Sequence, residues 1–246
     1  VAKNPPKTDR QAVIDDLRKK QKSAERRRGF MIVGVCSAIA LLIVGAALIQ
    51  PIKNYLDEKE FEGLAVEDIG APASACQPIE TKPADGEQDH VPPGTPILYE
   101  DAPPAFGQHY DMPDTMERKF YRGTDRPPLG TLVHNLEHGY TVMWYDETAA
   151  EDEAVMEQIE AIADNFEGTS NMRLKFKAVP WTEADGGAFP EGQHIALTHW
   201  SVGGAENAGQ GEHVGVWQYC SEPSGAALKE FMDTYDYMDS PEPNAM

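Results

Sequence analysis

The longest uninterrupted apolar pattern in the chain runs from Phe30 to Ile49, 20 residues without a charge. At about 1.5 Å per residue a helix of that length spans a hydrocarbon core of roughly 30 Å, so residues 30–49 predict one transmembrane helix. Before it, Thr8-Asp9-Arg10-Gln11 has the form of a capping box, and Val13 and Leu17 share a helix face, which predicts a short basic helix within the tail 1–29. A cleaved signal peptide also starts basic and turns apolar. This run is longer than the usual length of about 7–15 residues, however, and Gln50-Pro51 comes next without a small-x-small cleavage pattern. The pattern therefore favours a retained anchor.

Periodicity is lost after the anchor and then returns. Eight prolines between Asp57 and Pro104 exclude a long helix there, because each internal proline removes a donor and clashes with the preceding turn. Residues 50–101 are expected to form an extended arm. Further on, Tyr140–Tyr145 is β-rich, and Glu147–Phe166 sets Val155, Ile159 and Ile162 at helical spacing with acids outward and Gly168 as a stop. Met172–Val179 alternates as a half-buried strand does, and His194–Trp200 and His213–Cys220 are apolar strand candidates. The glycine-rich loop Ser201–Glu212 between them leads into no helix and does not fit a phosphate cradle. A last helix, Gly225–Tyr237, aligns Leu228, Phe231, Met232 and Tyr235. The order implies an α+β domain over residues 102–237, with an antiparallel or mixed sheet and two helices, and then a tail 238–246. No internal repeat is visible.

Charge adds an orientation. The chain carries a net charge of -20, but residues 1–28 hold 10 basic and 4 acidic side chains, so the acidity belongs to residues 29–246. Arg18, Lys19, Lys20, Lys22, Arg26, Arg27 and Arg28 precede the span, whereas Lys53 and Lys59 lie beyond it amid Asp57, Glu58, Glu60 and Glu62. The positive-inside rule then predicts a single-pass protein of the cell membrane, tail in the cytoplasm and C-terminal domain outside it. A strongly acidic main domain lacks the basic footprint that phosphates require, which disfavours nucleic acid as a partner.

Three cysteines are sorted by this topology. Cys36 falls in the membrane helix, whereas Cys76 and Cys220 both fall outside, where an oxidising space favours a Cys76–Cys220 disulfide. Neither exported cysteine has the close companion that a metal-binding pair would need.

All seven histidines also lie outside the span. Two of them form His134-Asn135-Leu136-Glu137-His138, which on a helix would put both imidazoles one turn apart on one face, able to clamp one metal ion beside Glu137. The spelling H-x-x-E-H is that of inverted zinc peptidases, but Gly139 and a strand come directly after it. Upstream, His109 is succeeded by Met112 and Met116 in a polar stretch. Thioether and imidazole together favour copper over zinc. His194 and His199 would face opposite sides of one strand, and His90 sits in the proline-rich arm. There is no G-x-S-x-G elbow, and no cysteine stands in a nucleophile setting.

Pro103-Pro104-x-x-Gly107-x-His109, then Val133-His134-x-Leu136-Glu137-His138-Gly139-Tyr140, behind a basic-flanked span, resembles domain-of-unknown-function family 3105 over roughly residues 102–237. Its most specific part is the HNLEHG segment. The family pattern usually reads PPTSGPH, and here Ala105-Phe106 replaces the small residue and serine. The resemblance implies a membrane-anchored extracytoplasmic protein of actinobacteria, with a role in copper supply to the haem-copper oxidase or in the respiratory supercomplex that contains it.

Two functions are expected from these readings. In the first, a non-enzymatic accessory protein holds copper, with zinc as the alternative ion, through His109, Met112, Met116, His134 and His138, while Glu137 orients an imidazole from behind. Its partners would be the membrane and subunits of the respiratory oxidase. In the second, the histidines are core residues of a structural subunit. A zinc hydrolase is a third class, and it requires a helix through residues 131–138.

Overall fold

The computed structural model describes residues 9–61, 63–84, 88–208 and 210–245. The chain divides into two compact units, residues 1–59 and 60–246. The first is helix α1 (Asp9–Phe61), 53 residues that continue into the second unit. Within it, Gln11–Ile49 contains the stretch long and apolar enough to cross a membrane. Its apolar side chains, such as Phe30, Leu41 and Leu42, are exposed. The expected short tail helix and the expected break at Gln50-Pro51 are both replaced by one unbroken helix, so the arm begins only after Phe61. Thr8 of the capping box lies outside the described residues.

The second unit is α+β. Its main sheet has the order β1-β7-β6-β4-β5, built from β1 (Glu80–Pro83), β4 (Thr141–Tyr145), β5 (Phe176–Pro180), β6 (Ile195–Ser201) and β7 (Val214–Cys220). Strands β4 and β5 run parallel and every other neighbour is antiparallel, so the sheet is mixed. A separate parallel pair joins β2 (His90–Val91) to β3 (His109–Tyr110). The helices are α2 (Leu129–Glu137), α3 (Glu147–Glu151), α4 (Glu153–Asp164), the short α5 (Glu183–Gly186) and α6 (Gly225–Thr234).

Strand alternation divides the core in two. Met143, Tyr145, Leu197 and Val216 face Ile159, Ile162, Leu228 and Phe231 of α4 and α6. Val142, Trp144, Ala196, Trp200 and Trp217 face Leu132, Val133 and Leu136 of α2. With both faces covered, β4, β5 and β6 are buried at every position. Each fully buried large side chain contributes about 1.5–3 kcal/mol of transfer free energy.

Several expectations need correction here. Met172–Val179 is not a half-buried strand: residues 172–174 form a 3-10 turn, and Lys175 and Lys177 are buried. Lys177 Nζ donates to the carbonyls of Thr115 and Arg118 and pairs with Asp114, whereas Lys175 Nζ donates to those of His138, Pro243 and Ala245. Three carbonyls around one ammonium satisfy its three donors. The expected single helix over 147–166 is two, because Asp152 takes extended geometry and caps α4 through the amides of Ala154 and Val155. The arm also contributes a strand: β1 completes the sheet edge beside β7, where terminal Pro83 is tolerated. Cys76 and Cys220 are joined in a disulfide, as expected.

Candidate metal centre

Helix α2 carries the HNLEH segment. Leu132, Val133 and Leu136 enter the core, which leaves His134, Glu137 and His138 together on a different face. His138 caps the helix, and the turn closes as a Schellman motif: Tyr140 N–H donates to the Asn135 carbonyl and Gly139 N–H to that of Leu136. Gly139 supplies the required positive φ of 89°. A side chain there would also collide with the Tyr237 carbonyl, 2.2 Å from an ideal Cβ.

His109 reaches this face from the preceding loop. Trp217 Nε1 donates to the Pro103 carbonyl and Tyr219 hydroxyl to that of Ala102, which fastens the PPAFGQH segment to β7. Phe106, at the position where the family pattern differs, lies edge-on to Trp200 and Trp217 and occupies space that a Cβ at Gly215 would fill. After β3, Asn135 of α2 clamps the chain by accepting from Asp114 N–H and donating to its carbonyl. The β2–β3 register then sets His90 directly beside His109.

Four imidazoles consequently meet. Ring centroids are 4.5 Å apart for His90 and His109, 4.8 Å for His90 and His134, 4.8 Å for His109 and His134, and 4.4 Å for His134 and His138. Two of the rings are held by backbone carbonyls: His109 Nδ1 is 2.8 Å from the Gly107 oxygen and His134 Nδ1 is 2.5 Å from that of Tyr110. An N–H is needed at Nδ1 to donate to these carbonyls, which turns each Nε2 toward the cluster, where that of His134 meets His138 Nε2 at 3.0 Å.

Opposite His109 Nε2, at 2.9 Å, is Oε2 of Glu137, whose side chain is only 2% exposed. The pair is not aligned as a hydrogen bond, and neither atom has another hydrogen-bond partner. Two bare lone pairs at this distance repel, so the contact needs a positive charge, either a proton on the imidazole or a metal ion between the two atoms. Ligands bonded to one ion at about 2.0–2.1 Å lie roughly 2.9–3.4 Å apart for bond angles of 90–109°, so this spacing fits.

Protonation favours the same use. Burial pushes His134 down, helped by His109 and His90, against the Tyr110 carbonyl and Glu137, and the ring stays below the usual histidine range. Burial pushes Glu137 up, but its close contact with His109 and the charges of His109, His90 and His134 outweigh this and hold it below the usual carboxylate range. A neutral imidazole and an ionised carboxylate are the metal-binding forms.

The donors fall into two sets, His90, His109, His134 and Glu137 in one and Glu137, His138 and Glu242 in the other, each with ligand atoms within 4.8 Å of one another. His109 and His134 are thus brought together, and His138 adjoins them. Glu137 faces Nε2 of His109, and the Gly107 and Tyr110 carbonyls hold Nδ1 of His109 and of His134. Met112 is 64% exposed, and Met116 is buried in the loop that Lys177 holds. Sequence reasoning missed His90 and Glu242. The remaining histidines are engaged elsewhere: His194 with Asp146, His199 between the Tyr140 and Asp239 carbonyls, and His213 with the Trp200 indole.

The fold and site thus define an α+β domain, preceded by an apolar helix able to cross a membrane, with a largely buried cluster of imidazoles and a carboxylate whose ligand atoms lie within 4.8 Å of one another. The family model described as "Protein of unknown function (DUF3105)" matches residues 90–246, and the chain belongs to that family. Neither curated proteins nor solved structures give a match.

Proposed function

We propose that this is a membrane-anchored extracytoplasmic accessory protein that binds copper, held as Cu(II) by His90, His109, His134 and Glu137. The observation that carries the reading is the 2.9 Å approach of His109 Nε2 to Glu137 Oε2 without hydrogen-bond alignment, while His109 Nδ1 is taken by a carbonyl. The donor set is imidazole and carboxylate, which suits Cu(II) and Zn(II), and Cu(II) stands above Zn(II) in intrinsic affinity. Four protein donors also fill a four-coordinate site, unlike a catalytic zinc site, which keeps one position open for water. The export of the domain is supported by the basic tail before the span and by the Cys76–Cys220 disulfide. Service to the respiratory haem-copper oxidase, by assembly or by metallation, rests on the family resemblance alone.

A zinc hydrolase is the second reading, favoured by the helical geometry of H-x-x-E-H on α2. It needs Glu137 free as a base and a water-bearing position, and the contact of Glu137 with His109 works against both. Competition titration of the full chain in detergent, with Cu(II) and Zn(II) against a chelator, tests the proposal. His109→Ala and His134→Ala are each expected to weaken binding at least about tenfold. Unchanged affinity in both variants would leave the histidines as core residues of a structural subunit.

A further inference from the structure

We propose that the centre takes two ions, the second a divalent cation of the same borderline class bound by Glu137, His138 and Glu242, with the Glu137 carboxylate bridging the two. This rests on the reading of His90, His109, His134 and Glu137 as ligands of the first ion. The two donor sets share Glu137 and no other residue. A carboxylate has two oxygens and about four lone-pair sites, enough to serve two metals at once. Glu137 Oε2 is buried and accepts no hydrogen bond, while Oε1 is met by the Gln88 amide at 3.4 Å. His138 Nε2 is 3.0 Å from His134 Nε2 on one side and 3.5 Å from Glu242 Oε2 on the other, which sets its ring at the junction of the two positions.

The C-terminal segment is built to present Glu242. Its amide donates to the Glu137 carbonyl at 2.9 Å, so the ligand on the tail is tied to the helix end that carries the shared ligand. Lys175 Nζ then binds the carbonyls of Pro243 and Ala245 just beyond it and of His138 beneath it. A buried lysine that joins these three carbonyls fixes the tail against the ligand-bearing turn. Each position has one exposed donor, His90 at 41% in the first and Glu242 at 52% in the second.

The test uses the full chain in detergent, stripped with a chelator, reloaded with Cu(II), desalted and counted by mass spectrometry. Wild type is expected to hold two ions per chain, and Glu242→Gln and Glu242→Ala one each. The electron paramagnetic resonance of the two-ion form should show spin coupling with a half-field transition, whereas Glu242→Gln should give an uncoupled Cu(II) spectrum. A wild type that holds one ion, with both Glu242 variants also at one, overturns the second position and leaves the first standing. Two ions in the Glu242 variants also overturns it. A wild type that holds none, or whose content is unaltered by His109→Ala and His134→Ala, removes the first reading and the second with it.

Discussion

His90 and His109 stand opposite each other across the parallel β2–β3 pair, with ring centroids 4.5 Å apart, so the proline-rich arm delivers a fourth imidazole to the cluster. His90 is the most exposed of the four imidazoles in contact, at 41% of its side chain. Replacement there removes a donor with little loss of packing. His90→Ala is expected to weaken Cu(II) binding by at least about tenfold while lowering the thermal midpoint by no more than about a degree or two, within the roughly ±0.5 kcal/mol typical of surface changes. Paired metal titration and thermal melting of the metal-free protein check it.

Gly139 is where the end of α2 and the C-terminal segment approach each other closely. At φ 89° an alanine costs about 1–2 kcal/mol in backbone strain, and its Cβ would meet the Tyr237 carbonyl, adding about 1–3 kcal/mol of overpacking. Gly139→Ala should therefore destabilise the protein by about 2–5 kcal/mol in denaturant titration, and it should loosen Glu242, whose amide would exchange faster with deuterium.

His199 gives a pH dependence separate from the metal centre. It is fully buried, and burial pushes it below the usual histidine range in spite of the Asp239 and Tyr140 carbonyls and the charges of Asp239 and Asp236. A folded-state value below the unfolded one of about 6.5 means that the unfolded chain takes up the proton first. The stability this group contributes is full above about pH 6.5 and is lost as pH falls toward its folded value. Metal-free wild type should lose up to about 1.4 kcal/mol per pH unit more than His199→Gln does on acidification from about pH 6.5. Parallel slopes in urea titrations would contradict this.

Patterns confined to one element were legible in the sequence, and patterns made by distant pairing were not. The i, i+4 spacing of His134 and His138 could be placed on one helix face because a helix fixes that geometry locally. His90 reaches the same site through its pairing with His109, and Glu242 through its own amide on the Glu137 carbonyl and the bonds that Lys175 makes to the tail. Neither association leaves a periodic trace. Lys175 and Lys177 read as solvent-facing because their charge is visible in the sequence, whereas the carbonyls and the Asp114 carboxylate that receive them are not. The α3–α4 break was concealed likewise: Asp152 looks like one more surface acid until its carboxylate is seen capping α4.

Imidazole and carboxylate donors around a metal ion at the α2–β3 junction are the centre of the proposed function. X-ray absorption at the copper edge of the loaded full chain measures that shell directly. Nitrogen and oxygen neighbours near about 2.0–2.1 Å are expected, with the outer-shell scattering of several imidazole rings, no sulfur near about 2.3 Å, and loss of imidazole scattering in His109→Ala. A shell dominated by sulfur, or one of light atoms without imidazole scattering, would contradict it.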